Sequence, residues 1–394
     1  MFWLPMADVR PFPGVRFDPA RVELGRVLCP PYDVIDPEQA IRLRAYDFNA
    51  VHLELPEGLG ENKYKNSAAT WSSWRRSGML VKDKAPCFYV CEEKFNFDGK
   101  VRRRVGFLGA LGVTPKAAKF ILPHERTLPK PKADRLELLK AVKTNISPIF
   151  GIFPDRKGAV QRALKKATAK KPTAEGSMPS GVAYRLWAVS DKAIVKAIVS
   201  GLAAQKILIA DGHHRYEVSK AYYELEPSNE ASTVLAYLCP EEDPGLVVLP
   251  THRIVEDLPV AETAKKLCEL KECDGQAELL KKLAKARNPY AFGLVEKGYT
   301  LAEPRGNEGC ESGLSVEWIA HSLFGELPPD RIRYTPDAAR AEELRGTSGT
   351  VVLVKPFAVQ QIREAVERVG LLPPKSTYFY PKIATGLVFK SLEK

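Results

Sequence analysis

Lys206-Ile207-Leu208-Ile209-Ala210-Asp211-Gly212-His213-His214-Arg215-Tyr216-Glu217 is an apolar run that stops at one acid, one glycine, two histidines and an arginine, and then continues amphipathic. The pattern reads as strand, tight polar turn, helix. A helix starting there aims its unpaired backbone N–H groups and the positive end of its dipole at whatever sits over the turn, which suits a phosphate or carboxylate. Gly212 lets the backbone come close, and Arg215 can hold an oxyanion with two hydrogen bonds. Four of the six histidines, His124, His213, His214 and His252, fall in short polar motifs rather than in apolar periodic segments. That placement favours chemistry over core packing; the competing explanation of the turn is a hydrogen-bonded structural corner.

Around this turn the chain alternates α and β: a helix over 191–202, the strand 206–210, a helix over 215–225, and a strand 246–250 that ends in Thr251-His252-Arg253. Upstream, Asp36-Pro37 caps a helix near 37–46, a second helix spans 63–77, and Asp98-Gly99 joins strands 87–97 and 101–113 into a hairpin. Leu136, Leu139 and Val142 place a helix over 133–144. The basic, then small and flexible stretch 155–181 reads as an exposed connection or a domain-edge excursion whose lysines form a solvated face. Downstream, helices are expected at 259–271, 276–286, 314–324 and 358–369, and strands at 289–295, 350–355 and 385–392. The expected fold class is α/β (α+β) in three parts: an N-terminal α+β region 1–115, a core 116–255 and a C-terminal α/β region 256–394.

At 394 residues and 45% hydrophobic content, more than one core is expected. The net charge of +11 is spread along the chain, with local concentrations only at Arg102-Arg103-Arg104 and 165–171. It suits anionic small molecules and permits nucleic acid without demanding it. Seven cysteines, an odd number with no paired CxxC spacing, suggest neither a disulfide framework nor a structural zinc site. The thiols read as reduced and the chain as cytoplasmic. Its start, Met1-Phe2-Trp3-Leu4-Pro5-Met6, lacks the charged leader of a signal peptide, and no stretch nears the roughly 20 apolar residues of a membrane span. Eight Asn and six Gln against 59 Lys+Arg point to a heat-adapted source, since amides are thermolabile and ion-pair networks gain value when hot.

Three further clusters carry chemistry. Leu122-Pro123-His124-Glu125-Arg126-Thr127, followed by Lys130, Lys132 and Arg135, sets a carboxylate beside a histidine and several cations, as a general base near bound phosphate requires. A surface salt-bridge loop has the same composition. Lys375-Ser376-Thr377 with Lys382 offers hydroxyls, ammonium groups and backbone donors to an anion, while Tyr378, Phe379 and Tyr380 read as packed core. Thr251-His252-Arg253 follows a strand end, where functional groups of α/β proteins gather. Adjacent histidines without His-Glu-x-x-His spacing disfavour a zinc hydrolase, and no metal ligands are assigned. No Gly-x-Ser-x-Gly elbow, Walker A loop or kinase glycine loop is present, so any phosphoryl transfer must use another cradle.

Pro30-Pro31-Tyr32-Asp33-Val34, Pro123-His124-Glu125-Arg126-Thr127, Asn145-Ile146-Ser147-Pro148, Ile209 to Glu217, Pro250-Thr251-His252-Arg253 and Pro374 to Lys382, in that order, resemble the prokaryotic family catalogued as domain of unknown function 1015. The resemblance covers nearly the whole chain. Within it, Asp211-Gly212-His213-His214-Arg215 is similar to the phosphate-binding motif of the ParB/sulfiredoxin-like fold, which includes CTP-binding partition proteins, sulfiredoxin and free serine kinases. Pro123-His124-Glu125 resembles the stretch carrying the catalytic glutamate of those kinases. The sulfiredoxin branch needs a cysteine in the turn, where this chain has His213 and His214. About 85 residues separate Glu125 from Asp211, a longer gap than the small kinases show, and 155–181 is the candidate insertion.

The resemblance implies a kinase that transfers a phosphoryl group from ATP, ADP or pyrophosphate, with Mg²⁺, to a free small metabolite, L-serine first. Glu125 would accept the hydroxyl proton and Asp211 would orient substrate or metal-bound water. His213, His214 and Arg215 would hold the transferring group. His124, Arg126, Thr127, Lys132, Gly212, His252, Arg253, Lys375, Ser376, Thr377 and Lys382 would bind substrate or phosphate. The partners expected are an amino acid and a phosphoryl donor, with no membrane and, on this reading, no nucleic acid. The alternative is a ParB-like nucleotide-dependent DNA-binding or regulatory protein, disfavoured because no helix-turn-helix and no basic stripe with interleaved aromatics follow the motif.

Overall fold

A computed structural model describes residues 7–393 except Arg126, Leu128, Asp257, Pro259, Glu308, Glu326, Pro329 and Asp330. The apolar start Met1 to Met6 therefore lies outside the described residues. The chain is mixed α/β. It forms two compact units, one made of Met1–Leu122, Thr127–Leu246 and Pro381–Lys394, the other of Pro123–Arg126 and Val247–Tyr380. These units do not follow the three-part division read from the sequence. Strands on both sides of residue 115 share one sheet, and the segment from Pro381 onward joins the first unit rather than the region that precedes it.

The first unit is built on a nine-stranded sheet in the order Ile121–Leu122, Ile207–Asp211, Ile149–Phe153, Thr233–Pro240, Lys100–Gly112, Phe88–Phe97, Ala183–Val189, Ala174–Ser177, with Val9–Arg10 added beside Lys100–Gly112. Asp98 (φ 51°) and Gly99 (φ 68°) supply the pair of left-handed residues that a two-residue hairpin turn needs. Ile149–Phe153 and Thr233–Pro240 are buried along their whole length, as strands covered on both faces are. Phe107, Phe153, Ile198, Leu202, Ile207 and Tyr216 belong to the core packed against them.

Of the two readings of 155–181, the structure agrees with an excursion at the domain edge rather than a loose connection. Ala159–Thr168 is a helix that turns Val160, Ala163, Leu164 and Ala167 into the core and leaves Lys165 and Lys166 outside. That is an i, i+3, i+4, i+7 stripe hidden by lysine density. Ala174–Ser177 then closes one edge of the sheet. Deeper in, Arg104 and Glu93 face each other across the hairpin as a fully buried ion pair at 2.6 Å, and Arg104 Nη2 also donates to the Pro381 carbonyl at 2.7 Å. Removing either partner of such a pair strands a buried charge, a loss of about 3–5 kcal/mol.

The second unit carries a six-stranded antiparallel sheet in the order Cys268–Cys273, Tyr299–Pro304, Phe292–Val295, Thr350–Leu353, His252–Val255, Ile332–Thr335, with Leu279, Leu283, Ala291, Val351 and Leu353 in its core. The helix expected to reach 271 stops at Leu267, because Cys268–Cys273 pairs residue for residue with Tyr299–Pro304. Cross-strand pairing overrides a helical composition there. The expected strand 385–392 shrinks to Lys390–Ser391, although Ile383 to Lys390 are buried in the first unit and bridge Cys29 and Val15 at Thr385 and Phe389.

Candidate functional site

Ile207–Asp211 is buried throughout, and Gly212 (φ 88°, ψ 29°) breaks the chain out of the strand so that the helix His213–Leu225 starts at once. Among the described residues no side chain caps that helix start, which lies beyond the strand's carboxyl end. A Cβ at position 212 would meet the Arg215 guanidinium at 3.1 Å in a backbone conformation L residues rarely adopt. Ile121–Leu122 runs parallel beside Ile207–Asp211. In chain order, both the His124-Glu125 motif and the Asp211 turn thus follow the carboxyl ends of neighbouring parallel strands.

Asp211 is clamped by two cations. Lys382 Nζ donates to Oδ1, and Arg215 Nη2 donates to Oδ2 at 2.6 Å. Burial alone would raise the carboxyl, but the charges of Lys382 and Arg215, the Lys382 hydrogen bond and the nearby His213 outweigh it and hold Asp211 far below the ordinary carboxylate range. Arg215 Nη1 donates to the Pro148 carbonyl. One donor on each terminal nitrogen of Arg215 thus braces Asp211 or the Asn145-Ile146-Ser147-Pro148 segment. His213 is buried at the helix start, and His214 beside it is half-buried.

A second layer surrounds Arg215, whose charge is favoured by Asp211, then Asp33, Glu54 and Tyr32, against the cost of burial. Arg135 stacks over the Tyr32 ring at 4.4 Å, donates through Nη1 to the Glu54 carbonyl at 2.8 Å, and holds Asp134 Oδ2 with Nε and Nη2 at 2.9 and 2.5 Å. Lys63 and Tyr64 take Asp134 Oδ1 at 2.5 and 2.9 Å. Burial raises Asp134, yet the Lys63 hydrogen bond and the Arg135 charge bring it down to about 2. The Tyr32 phenol is pushed up to about 12 by burial, against the neighbouring Arg215 charge. Tyr32, Glu54 and Asp134 were not assigned roles from sequence. The proline-bounded Pro30-Pro31-Tyr32-Asp33 motif was the one signal for any of them.

In the second unit, His124 Nε2 meets Thr377 Oγ1 at 2.9 Å, and Glu125 accepts the backbone N–H of Lys375, itself in a left-handed conformation (φ 56°). Leu372 N–H donates to the His124 carbonyl at 2.8 Å, and Ser376 Oγ donates to Pro373 O at 2.6 Å. The C-terminal cluster therefore divides: Lys375, Ser376 and Thr377 gather with His124 and Glu125, whereas Lys382 belongs to Asp211. His252 Nδ1 accepts Val354 N–H at 3.1 Å and is pushed down to about 4, by burial first and the Arg253 charge second. Arg253 is buried, bonded to the Thr251 carbonyl with the Tyr334 ring 5.8 Å away, and burial lowers it to about 10. Thr127 and Lys132 are half-buried at and near the start of the helix Pro129–Val142 in the first unit; Arg126 lies outside the described residues.

With its sheet, its glycine turn and its ordered motifs, the chain belongs to the family described as Protein of unknown function (DUF1015), matched over residues 9–320. Among solved structures it is similar to a free serine kinase variant in complex with ADP (TM-score 0.39, 17% identity, covering 72% of this chain and 92% of that one). It is also similar to a conserved hypothetical protein from Pyrococcus furiosus (TM-score 0.38, 17% identity, 72% and 95% covered) and to C-terminally truncated SbnI from Staphylococcus aureus (TM-score 0.41, 12% identity, 71% and 85% covered). No curated protein matches the chain. Among the described residues no helix is long and apolar enough to cross a membrane, and no group of three or more His, Cys, Asp or Glu is arranged to hold a metal.

Proposed function

We propose that this protein is a phosphotransferase that moves a phosphoryl group from ATP, ADP or pyrophosphate to the hydroxyl of a free small metabolite, with L-serine as the first acceptor. The observation that carries the reading is the glycine-led, uncapped helix start at His213, fixed in place by an Asp211 carboxylate clamped between Lys382 and Arg215. Phosphoryl transfer asks a protein mainly for positioning and charge stabilisation. In this reading the helix N–H groups with His213 and His214 hold the transferring phosphoryl group, Arg215 braces the turn, and Glu125 accepts the acceptor's hydroxyl proton. Both Asp211 oxygens are already engaged by cations, so Mg²⁺ would be carried chiefly by the donor's phosphates, whose charge it shields. A cytoplasmic location and a ParB/sulfiredoxin-like origin of the core belong to the same proposal.

The test is a transfer screen crossing ATP, ADP and pyrophosphate with serine, threonine and other hydroxyl metabolites. O-phosphoserine formed from one of these donors is the expected product. Absence of transfer from all three donors, together with DNA binding that falls steeply with salt, would replace the reading with a nucleotide-dependent DNA-binding one.

A further inference from the structure

Arg215 also lines a cavity of about 50 Å³ that it shares with Glu54, Arg135, Thr144, Asn145 and Ser147. The phosphate chemistry above leaves this space unused. At about 10–15 Å³ for each water-sized group, it takes roughly three to five non-hydrogen atoms. Its lining poses a problem of charge. Glu54 is 1% exposed, and among the described residues its carboxyl accepts one hydrogen bond, from Tyr32 N–H at 3.2 Å. Arg215 lies close enough for the two charges to favour each other, but neither neighbouring guanidinium donates to the carboxyl: Arg135 is spent on Asp134 and on the Glu54 backbone carbonyl, Arg215 on Asp211 and Pro148.

Thr144, also 1% exposed, turns its Oγ1 to no partner among the described residues. Asn145 is oriented by Leu235 N–H, which its Oδ1 accepts at 3.1 Å. A buried carboxyl with one hydrogen bond and a buried hydroxyl with none are rare in folded interiors unless something else completes them. An anion is repelled by Glu54. Water supplies hydrogen bonds but no charge to pair directly with the carboxylate. A primary ammonium supplies both, with three N–H donors for the Glu54 carboxyl and the Thr144 and Ser147 hydroxyls.

The geometry points to this cavity as the seat of the ammonium group of a small amine-bearing metabolite, a hydroxy amino acid or an amino alcohol; the inference rests on the phosphotransferase reading, in which such a molecule is the acceptor. Glu54 is then the residue that selects amine-bearing acceptors over plain hydroxy acids. Because Arg215 lines both this cavity and the Asp211 turn, a ligand seated here lies next to the proposed phosphoryl seat.

The experiment is calorimetry on the full chain, with and without AMP, comparing L-serine with 3-hydroxypropionate, which keeps the carboxylate and hydroxyl and lacks the amine. L-serine should bind at least about tenfold more tightly, the scale of one charge-assisted contact, and Glu54→Gln should bring the ratio close to one. If that variant does not fold, Thr144→Val keeps the volume, removes the hydroxyl and should weaken L-serine about threefold or more. Equal affinity for the two ligands in the wild type, or no binding of either, overturns the assignment. Transfer to acceptors without regard to an amine overturns it too and leaves the phosphotransferase reading standing. Amine-selective binding without transfer to any acceptor supports the cavity and sinks the phosphotransferase.

Discussion

Lys382 Nζ donates a hydrogen bond to Asp211 Oδ1 across 171 residues of chain, and both side chains are only 10% exposed. Lys382→Met leaves the carboxylate with Arg215 alone. The expected loss of unfolding free energy is about 3 kcal/mol, the low end for breaking a buried pair because one cation remains. Urea titration at pH 7 measures it. A loss within 0.5 kcal/mol would mean that Lys382 is dispensable to the turn.

Asp211 and Asp134 make stability depend on acid in a definite direction. Both are ionised more easily in the folded chain than in the unfolded one, whose carboxyls titrate near about 3.9. The unfolded state therefore binds more protons as pH falls, so their contribution is complete above about pH 5 and declines below it. Asp134's share is gone once pH drops through its folded value of about 2, and Asp211's persists to lower pH still. Urea midpoints from pH 6 to pH 2.5 should fall, and Lys63→Met should lessen the fall. A level profile contradicts the pairing.

His252 acts in the window above. Its folded value of about 4 lies below the ordinary 6.5, so the unfolded chain takes up a proton first as pH drops. Stability is full above pH 6.5 and declines toward pH 4, by about 3 kcal/mol for a shift of this size. His252→Gln, which can still accept the Val354 N–H, should flatten the profile in that interval. An unchanged slope would assign the dependence to other groups.

Gly212→Ala places a Cβ on a residue at φ 88° and 3.1 Å from the Arg215 guanidinium. The left-handed conformation alone costs about 1–2 kcal/mol. Thermal unfolding should register that loss, and ADP or pyrophosphate affinity should weaken with it. A variant as stable as the parent would show that the turn does not need its glycine.

Glu125→Gln keeps the size and the acceptance of the Lys375 N–H but abolishes proton uptake. If Glu125 is the general base, turnover should drop roughly 10²–10⁴-fold with donor affinity little changed. Steady-state rates beside donor titrations decide it. Turnover close to that of the parent removes Glu125 from the chemistry.

Local chemistry was legible in the sequence, and long-range pairing was not. Asp98-Gly99 announced its hairpin and Asp211-Gly212 its strand end, because each turn needs backbone angles that few residues supply. The helix at 159–168 carried a clear apolar stripe, yet four lysines among residues 165–171 made the region look like solvent-facing linker. Cys268 to Lys271 were read as helix because nothing within them names Leu301 to Pro304 as their partners. The same holds at the site. Arg215 could be read as a cation beside a helix start, but not that a carboxylate four residues earlier and a distant carbonyl would engage it. Glu54 and Arg135, 81 residues apart, carry no local mark of their contact.

The first unit's chain is interrupted by the second, and the interruption sets an order of events at the ribosome. Asp211 and Arg215 emerge together, while Lys382 follows 171 residues later. At about 5–20 residues per second, the turn waits roughly 10–35 s for its second cation. During that interval Asp211 Oδ1 lacks its cation, and Arg104 has yet to meet the Pro381 carbonyl. In the nascent first unit the Asp211 turn is thus held from one side only until the segment carrying Lys382 has been made.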